Sequence, residues 1–482
     1  MIHTKIIATV GPASEAEGML GALLDAGVDV FRLNFSHGTL EQHARVYERI
    51  RAVSAQRGRL VAVMGDLCGP KIRVDPVEDD AFSLAAGDRI DIVAGHVVGN
   101  RGRISTNRPE LVREVRVGQR VLIDDGTVRL RVEAAAADRL ACVCEVGGVV
   151  STRKGVNLPD SRLAMSALTE KDREDLSWAV AHGVDYLAMS FVRTAADLRE
   201  LRDSLPLAGD RCRVVAKIET ATAVGHLDEI IEAADVVLVA RGDLGVEMDL
   251  SRVPIVQKQI TRRCLAAGKP VIVATQMLQS MVSSPTATRA EVSDVANAIL
   301  DRADAIMLSA ETSIGAYPVE SVQMMARIAA HAEAYVDEAG RGTVEAAASL
   351  RPVATAVAHA AHLLAGELDA RAVAVWTQTG NTARLLSKCR LSAPIAGLSP
   401  EEHVCRRMCL YYGVIPVQLA RAEQIVHMLR DVDDALLQRG LARPGELIVV
   451  VAGTRLEQVG STNALLIHLL GSTDAGMPEI TG

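Results

Sequence analysis

Short runs of β-branched and other apolar residues recur along the first two thirds of the chain, each closed by a polar cluster. They read KIIATVG (Lys5–Gly11), VDVFRLNFS (Val28–Ser36), LVAVMGDL (Leu60–Leu67), YLAMSF (Tyr186–Phe191), VVAKIE (Val214–Glu219), VVLVARGD (Val236–Asp243), PVIVATQ (Pro270–Gln276) and AIMLSAE (Ala305–Glu311). Helical patterns intervene; in TEKDREDLSWAVAHG, Thr169 is placed to cap a helix with Asp172 in its first turn. Nearly continuous apolar strands alternating with helices predict a parallel sheet covered on both faces. Eight such units predict a closed (β/α)8 TIM barrel. An open doubly wound sheet is the other arrangement, but no Gly-rich dinucleotide fingerprint follows the first run.

The spacing breaks once. Between the third run and the helix near Thr169 lie about a hundred residues, far more than a βα loop needs. This stretch carries short alternating runs punctuated by Gly and Asp-Gly, as in GQRVLIDDGTVRLRVEAAAADRLACVCEVGG. Such a pattern predicts a small antiparallel β-domain, inserted where the barrel mouth opens and suited to act as a lid. After the eighth unit, the linker-like EAGRGTVEAAAS precedes AVAVWTQTG, PIAGLS, GVIPVQL and ELIVVVAG, which predict a C-terminal α/β domain. The expected boundaries are residues 1–70 with 166–337 for the barrel, 71–165 for the inserted domain and 338–482 for the C-terminal domain.

Composition narrows the function classes. The 482 residues are 49% hydrophobic and 23% charged, ordinary for a globular protein, and a net charge of −8 argues against non-specific nucleic-acid binding. No apolar run reaches the roughly 18 residues of a membrane span, and the start lacks a signal-peptide pattern, so a cytoplasmic location is expected. The eight cysteines show no CxxC pair; the nearest neighbours, Cys142 with Cys144 and Cys405 with Cys409, read as reduced core thiols.

Chemistry concentrates where a barrel keeps its active site, at the C-terminal ends of the strands. Those ends carry Arg32, Asn34, Ser36, His37, Asp66, Lys217, Glu219, Arg241, Asp243, Thr275 and Glu311. Lys217 and Glu219 are two residues apart on one strand and so share a face, an expensive placement unless a ligand needs both charges. Glu219 and Asp243 are hard oxygen donors suited to Mg2+, Lys217 is a point charge suited to a phosphoryl group, and Arg32 is a fork for phosphate or carboxylate. The pattern fits metal-assisted chemistry on a phosphorylated acid. It also fits a barrel lyase or aldolase acting on a 2-oxo acid, and a metabolite sensor that has lost turnover. Arg241 and Glu311 read equally as structural groups that orient neighbours.

The motifs RLNFSHG, GDLCGPKIR, KGVNLP, AKIE, VARGDLGVE, ATQML, TRAEVSDVANA and MLSAET, in this order, resemble those of pyruvate kinase. The resemblance runs from Ile2 into the C-terminal domain. It implies transfer of the phosphoryl group of phosphoenolpyruvate to ADP, giving pyruvate and ATP, with Mg2+ or Mn2+ held by Glu219 and Asp243. It implies that Arg32 grips the substrate phosphate and Lys217 the phosphoryl group in flight. The backbone of Ala240, Gly242 and Asp243, with the Thr275 hydroxyl, would take the carboxylate. Asn34, Ser36, His37, Arg73 and Lys154 would face the nucleotide.

Two further expectations come with the family. Asn34, Ser36, Asp66 and Leu67 stand at its K+-site positions, but GPKIR places Lys71 where K+-dependent members carry Glu; its ammonium is expected to replace K+, which is then not required. In the C-terminal domain TQTGNTA places Thr377, Thr379, Gly380, Asn381 and Thr382 between a strand and a helix, an anion-site pattern expected to bind a phosphorylated allosteric effector. A homotetramer is implied by the resemblance alone.

Overall fold

The computed structural model describes residues 2–161, 166–205, 211–338, 352–456, 458 and 460–472. Eight parallel strands close into a barrel: β1 (Lys5–Thr9), β2 (Val30–Asn34), β3 (Ala62–Asp66), β4 (Tyr186–Met189), β5 (Arg213–Ile218), β6 (Val236–Ala240), β7 (Val271–Ala274) and β8 (Ala305–Leu308). Each pairs with its sequence neighbours and β8 returns to β1, Lys5 opposite Ala305. β1, β3, β4, β6, β7 and β8 are buried along their whole length, as strands covered on both faces must be.

The two-residue period decides which side chains face the barrel axis. On β5, Val214, Ala216 and Ile218 pack outward with the helices, whereas Val215 belongs to the barrel interior. Lys217 and Glu219 therefore follow Val215 inward. On β2, Phe31 and Leu33 face the helices, which turns Val30, Arg32 and Asn34 inward; on β3, Val63 faces out while Ala62 and Met64 face in, followed by Asp66. Thr39, Thr169 and Thr288 each close a capping box on the helices starting at Leu40, Glu170 and Arg289. Such a cap contributes about 1 kcal/mol.

The inserted segment folds into a six-stranded sheet, in the order Val156–Asn157, Arg120–Ile123, Val128–Ala135, Arg139–Val146, Arg89–Val93, Arg103–Ile104. It is antiparallel except for the last pair, and Ile90, Val121, Leu130, Val132 and Leu140 form its core. The DDG turn works because Asp124, Asp125 and Gly126 all take left-handed φ values, 53°, 53° and 83°.

The C-terminal sheet runs β11 (Val414–Gln418), β10 (Ile395–Ser399), β9 (Ala372–Trp376), β12 (Leu447–Gly453), β13 (Thr462–Leu469). The first four are the expected strands; β13 is an additional antiparallel edge. Of the expected linker, residues 338–349, Glu338 ends the helix Pro318–Glu338 and the rest lies outside the described residues. The domain meets the lower end of the barrel, where the buried Tyr186 hydroxyl donates to the Arg407 carbonyl at 2.6 Å.

Candidate active site

At the barrel mouth, β2, β3 and β5 bring two cations and two carboxylates together. Lys217 Nζ lies 2.8 Å from Glu219 Oε1 and 3.2 Å from Asp66 Oδ1, and donates to Ser190 Oγ at 2.7 Å. Arg32 Nε donates to Asp66 Oδ2 at 2.7 Å and its Nη1 to Thr9 Oγ1 at 2.9 Å. Asp66 and Glu219 are 1% and 2% exposed, so these charges meet with almost no water between them.

The protonation balance follows from that crowding. Burial alone would lower the Lys217 ammonium, but Asp66 and Glu219 outweigh it and hold it above the usual range. Burial would raise Asp66; Lys217 and Arg32 overcome it and keep the carboxyl below its ordinary value. Glu219 goes the other way. Burial pushes it up to about 7, Lys217 opposes this, and the charge of Asp243 adds to the rise.

A second constellation comes from the ends of β6 and β7. Gly242 N donates to Thr275 Oγ1 at 2.7 Å, and that hydroxyl donates to the Ala274 carbonyl at 2.6 Å. Thr275 and Gln276 hold φ values of 70° and 55°, and Phe191 at the end of β4 holds 54°. Non-glycine residues in this region store strain and persist where their surroundings enforce it. Arg241 supplies part of the enforcement at Thr275, donating to its carbonyl at 3.1 Å while paired with Asp294 at 2.6 Å. Phe191 is fixed by its amide, which donates to Glu219 Oε2 at 2.6 Å.

Comparison with known proteins now decides the family. A family model described as "Pyruvate kinase, barrel domain" matches residues 1–322, and "Pyruvate kinase, alpha/beta domain" matches residues 355–468. A pyruvate kinase of Agrobacterium vitis is 44% identical over 478 residues, covering 98% of both chains. One of Mycobacterium tuberculosis is 40% identical over 470 residues, covering 98% of this chain and 99% of its own. One of Geobacillus stearothermophilus is 41% identical over 471 residues, covering 97% of this chain and 80% of its own. The chain belongs to the pyruvate kinase family.

As a pyruvate kinase it is a phosphotransferase, with phosphoenolpyruvate, ADP and pyruvate as its reactants. The family works with a divalent metal. Among the described residues no cluster of three or more His, Cys, Asp or Glu has metal-site geometry. The pair Glu219 and Asp243 still fits an ion that takes few protein carboxylates and completes its shell with water and substrate oxygens. Burial, with the charge of Asp243 adding to it, pushes Glu219 up to about 7 even with Lys217 beside it, so a further cation between the two acids would relieve a buried charge, and that is the local observation in favour of the fit.

The remaining sequence candidates divide. Asn34 Oδ1 accepts from Ser36 N at 3.1 Å, and the Leu67 carbonyl accepts from Ser190 Oγ at 2.8 Å. On the inserted domain the half-buried Arg73 donates from Nη1 to the Arg153 carbonyl at 2.9 Å, and the half-buried Lys154 pairs with Asp124 at 2.9 Å. His37 is exposed at the mouth, its carbonyl 2.9 Å from His43 Nε2. Lys71 is exposed and lines a cleft of about 330 Å3 between barrel and inserted domain, together with Phe191, Asp243 and Glu247. Glu311 is structural, its carboxylate accepting from Leu278 N at 3.0 Å and Ser309 N at 2.8 Å.

In the C-terminal domain Thr377 Oγ1 accepts from Gly380 N at 3.0 Å, and Thr382 Oγ1 meets Thr462 Oγ1 at 2.7 Å. Gly380 needs its φ of 78° to start the helix Asn381–Lys388. Thr377, Thr379, Asn381 and Thr382 line a small cavity with Arg455 and Ser461. Sequence reasoning missed Ser190 and Thr9, which orient Lys217 and Arg32; both are polar residues near the end of an apolar run, the signal that singled out their neighbours.

Proposed function

We propose that this pyruvate kinase transfers the phosphoryl group through Arg32, Lys217, Glu219, Asp243 and Thr275. Arg32 forks onto the phosphate of phosphoenolpyruvate, and Lys217 stabilises the phosphoryl group as it moves to ADP. Glu219 and Asp243 would hold Mg2+ or Mn2+. When bound, that ion supplies charge neutralisation for the phosphoryl and enolate oxygens. The Ala240, Gly242 and Asp243 backbone, with the Thr275 hydroxyl, takes the substrate carboxylate. After transfer Lys217 faces the enolate, where fixed charge lowers a barrier most, and a proton reaches its C3 by way of water near Thr275.

Asn34, Ser36, His37, Arg73 and Lys154 contact the nucleotide. The inserted domain, residues 71–165, closes over it and keeps water from the phosphoryl group. Lys71 supplies the positive charge that K+ provides elsewhere in the family, with Asn34, Ser36, Asp66 and Leu67 at the corresponding positions. Thr377, Thr379, Gly380, Asn381 and Thr382 bind a phosphorylated effector in the C-terminal domain, residues 338–482. The working form is a cytoplasmic homotetramer.

The observation that carries this reading is the Lys217 ammonium, 2.8 Å from Glu219 and 3.2 Å from Asp66, at the mouth of the barrel. A coupled pyruvate assay on purified protein tests it. Pyruvate is expected only with phosphoenolpyruvate, ADP and Mg2+ or Mn2+ together; pyruvate made without ADP, or none with either metal, overturns it.

A further inference from the structure

The helix Arg241–Glu247 begins beside the Gly242 amide and ends in Glu247. Asp243 and Glu247 are four residues apart and so share one helix face, and both line the cleft beneath the inserted domain. Two carboxylates on one face of a cleft repel each other, and burial pushes Glu247 above the usual carboxyl range. The group that meets it comes from the inserted domain. Asn157 Nδ2 donates to Glu247 Oε1 at 3.1 Å.

Asn157 is not on a loose tether. It belongs to the short strand Val156–Asn157, whose residues pair with Ile123 and Leu122 of the six-stranded sheet. Three residues on, Asp160 is gripped by Arg120 through both oxygens, at 2.7 and 2.9 Å. On the other side, Ile123 leads into Asp124, the partner of Lys154. A force on the Asn157 amide is therefore passed to the sheet and to the turn that holds Lys154.

We propose that Glu247 is a positioning residue for phosphoryl transfer: by accepting the Asn157 amide it fixes the inserted domain over the barrel mouth and sets where Lys154 stands relative to Asp243. This rests on the reading of Lys154 as a nucleotide contact. Glu247 itself need not touch substrate. Its partner is a neutral amide, so what matters is an acceptor oxygen at that place.

The test compares Glu247→Ala, Asn157→Ala, the double variant and Glu247→Gln. Digestion of the inserted domain by trypsin, without substrates, is expected to accelerate roughly tenfold in both single variants, the scale of one hydrogen bond to a charged group. The double variant is expected to add little, because the contact is already gone. Glu247→Gln keeps a carbonyl acceptor and is expected to keep the protection. In steady state the KM for ADP rises in both alanine variants, with the KM for phosphoenolpyruvate nearly unmoved. Additive effects, unchanged digestion in Asn157→Ala, or Glu247→Gln behaving like Glu247→Ala each overturn the proposal. Digestion needs no substrate, so such a failure is distinct from a wild-type protein that makes no pyruvate, which overturns the functional reading instead.

Discussion

The Lys217 ammonium lies 3.2 Å from the Asp66 carboxylate, although the two side chains come from β5 and β3, on either side of β4. Asp66 is shared, because Arg32 holds its other oxygen at 2.7 Å. Lys217→Met leaves Asp66 with Arg32, so the barrel is expected to fold. Pyruvate formation is expected to fall by roughly 10²–10³ or more, the loss seen when a preorganised charge at a reacting oxygen is removed. The coupled assay, with circular dichroism to confirm folding, checks this; retained turnover contradicts the role given to Lys217.

Thr275 accepts the Gly242 amide at 2.7 Å from a backbone held at φ 70°. Thr275→Ala deletes the acceptor and the hydroxyl proposed to face the substrate carboxylate. The expected result is a fall in kcat/KM for phosphoenolpyruvate of about 10²-fold, with Thr275→Ser, which keeps the oxygen, far closer to wild type. Equal losses in the two variants mean that the hydroxyl is not what counts.

Asp304 joins the barrel to the C-terminal domain. Its Oδ1 is 2.6 Å from Lys388 Nζ and 3.2 Å from Arg390 Nη2, and its Oδ2 accepts from Val271 N at 2.7 Å. All three side chains are buried. Asp304→Asn removes the carboxylate that both buried cations share, a change that typically costs about 3–5 kcal/mol. A denaturant midpoint within error of wild type would show that the cluster carries no such weight.

Lys388 makes a pH prediction with a definite sign. Burial pushes its ammonium down to about 8; Asp304 resists and Arg390 reinforces the fall. In an unfolded chain the same group titrates near 10.4, so between about pH 8 and 10.4 the unfolded state binds a proton the folded state has released. Stability contributed by this site therefore rises with pH across that window, by up to ~3 kcal/mol. Lys388→Met removes the effect, so the stability of wild type minus that of the variant is expected to climb from pH 8 to 10. A flat or falling difference refutes it.

Lys71 stands in GPKIR, exposed at the cleft beside the barrel mouth. Turnover in buffer free of K+ and Na+ is expected to stay within a few-fold of that with K+. A large loss restored only by K+ sinks the idea that this ammonium replaces the ion.

The barrel strands were legible because they are covered on both faces, which leaves a nearly continuous apolar run ending in a polar residue. That is why Arg32, Asp66, Lys217, Glu219 and Thr275 were visible as candidates. β13 was not legible as a strand. It is a half-exposed antiparallel edge, so its apolar residues follow no clean alternation. Ser190 and Thr9 were passed over because another apolar residue, Phe191 or Val10, follows each, so the run reads as continuing past the hydroxyl.

By itself the sequence determined the eightfold repeat, the place of the insertion, and that Lys217 and Glu219 share one face of their strand, which follows from a period of two. Only the tertiary structure decided that Lys217 meets Asp66, that Asn157 meets Glu247, and that Asp304 is shared by Lys388 and Arg390. Those distances depend on closing a ring of strands and seating two further domains on it. Residues far apart in the chain become neighbours there through packing, which no local pattern encodes.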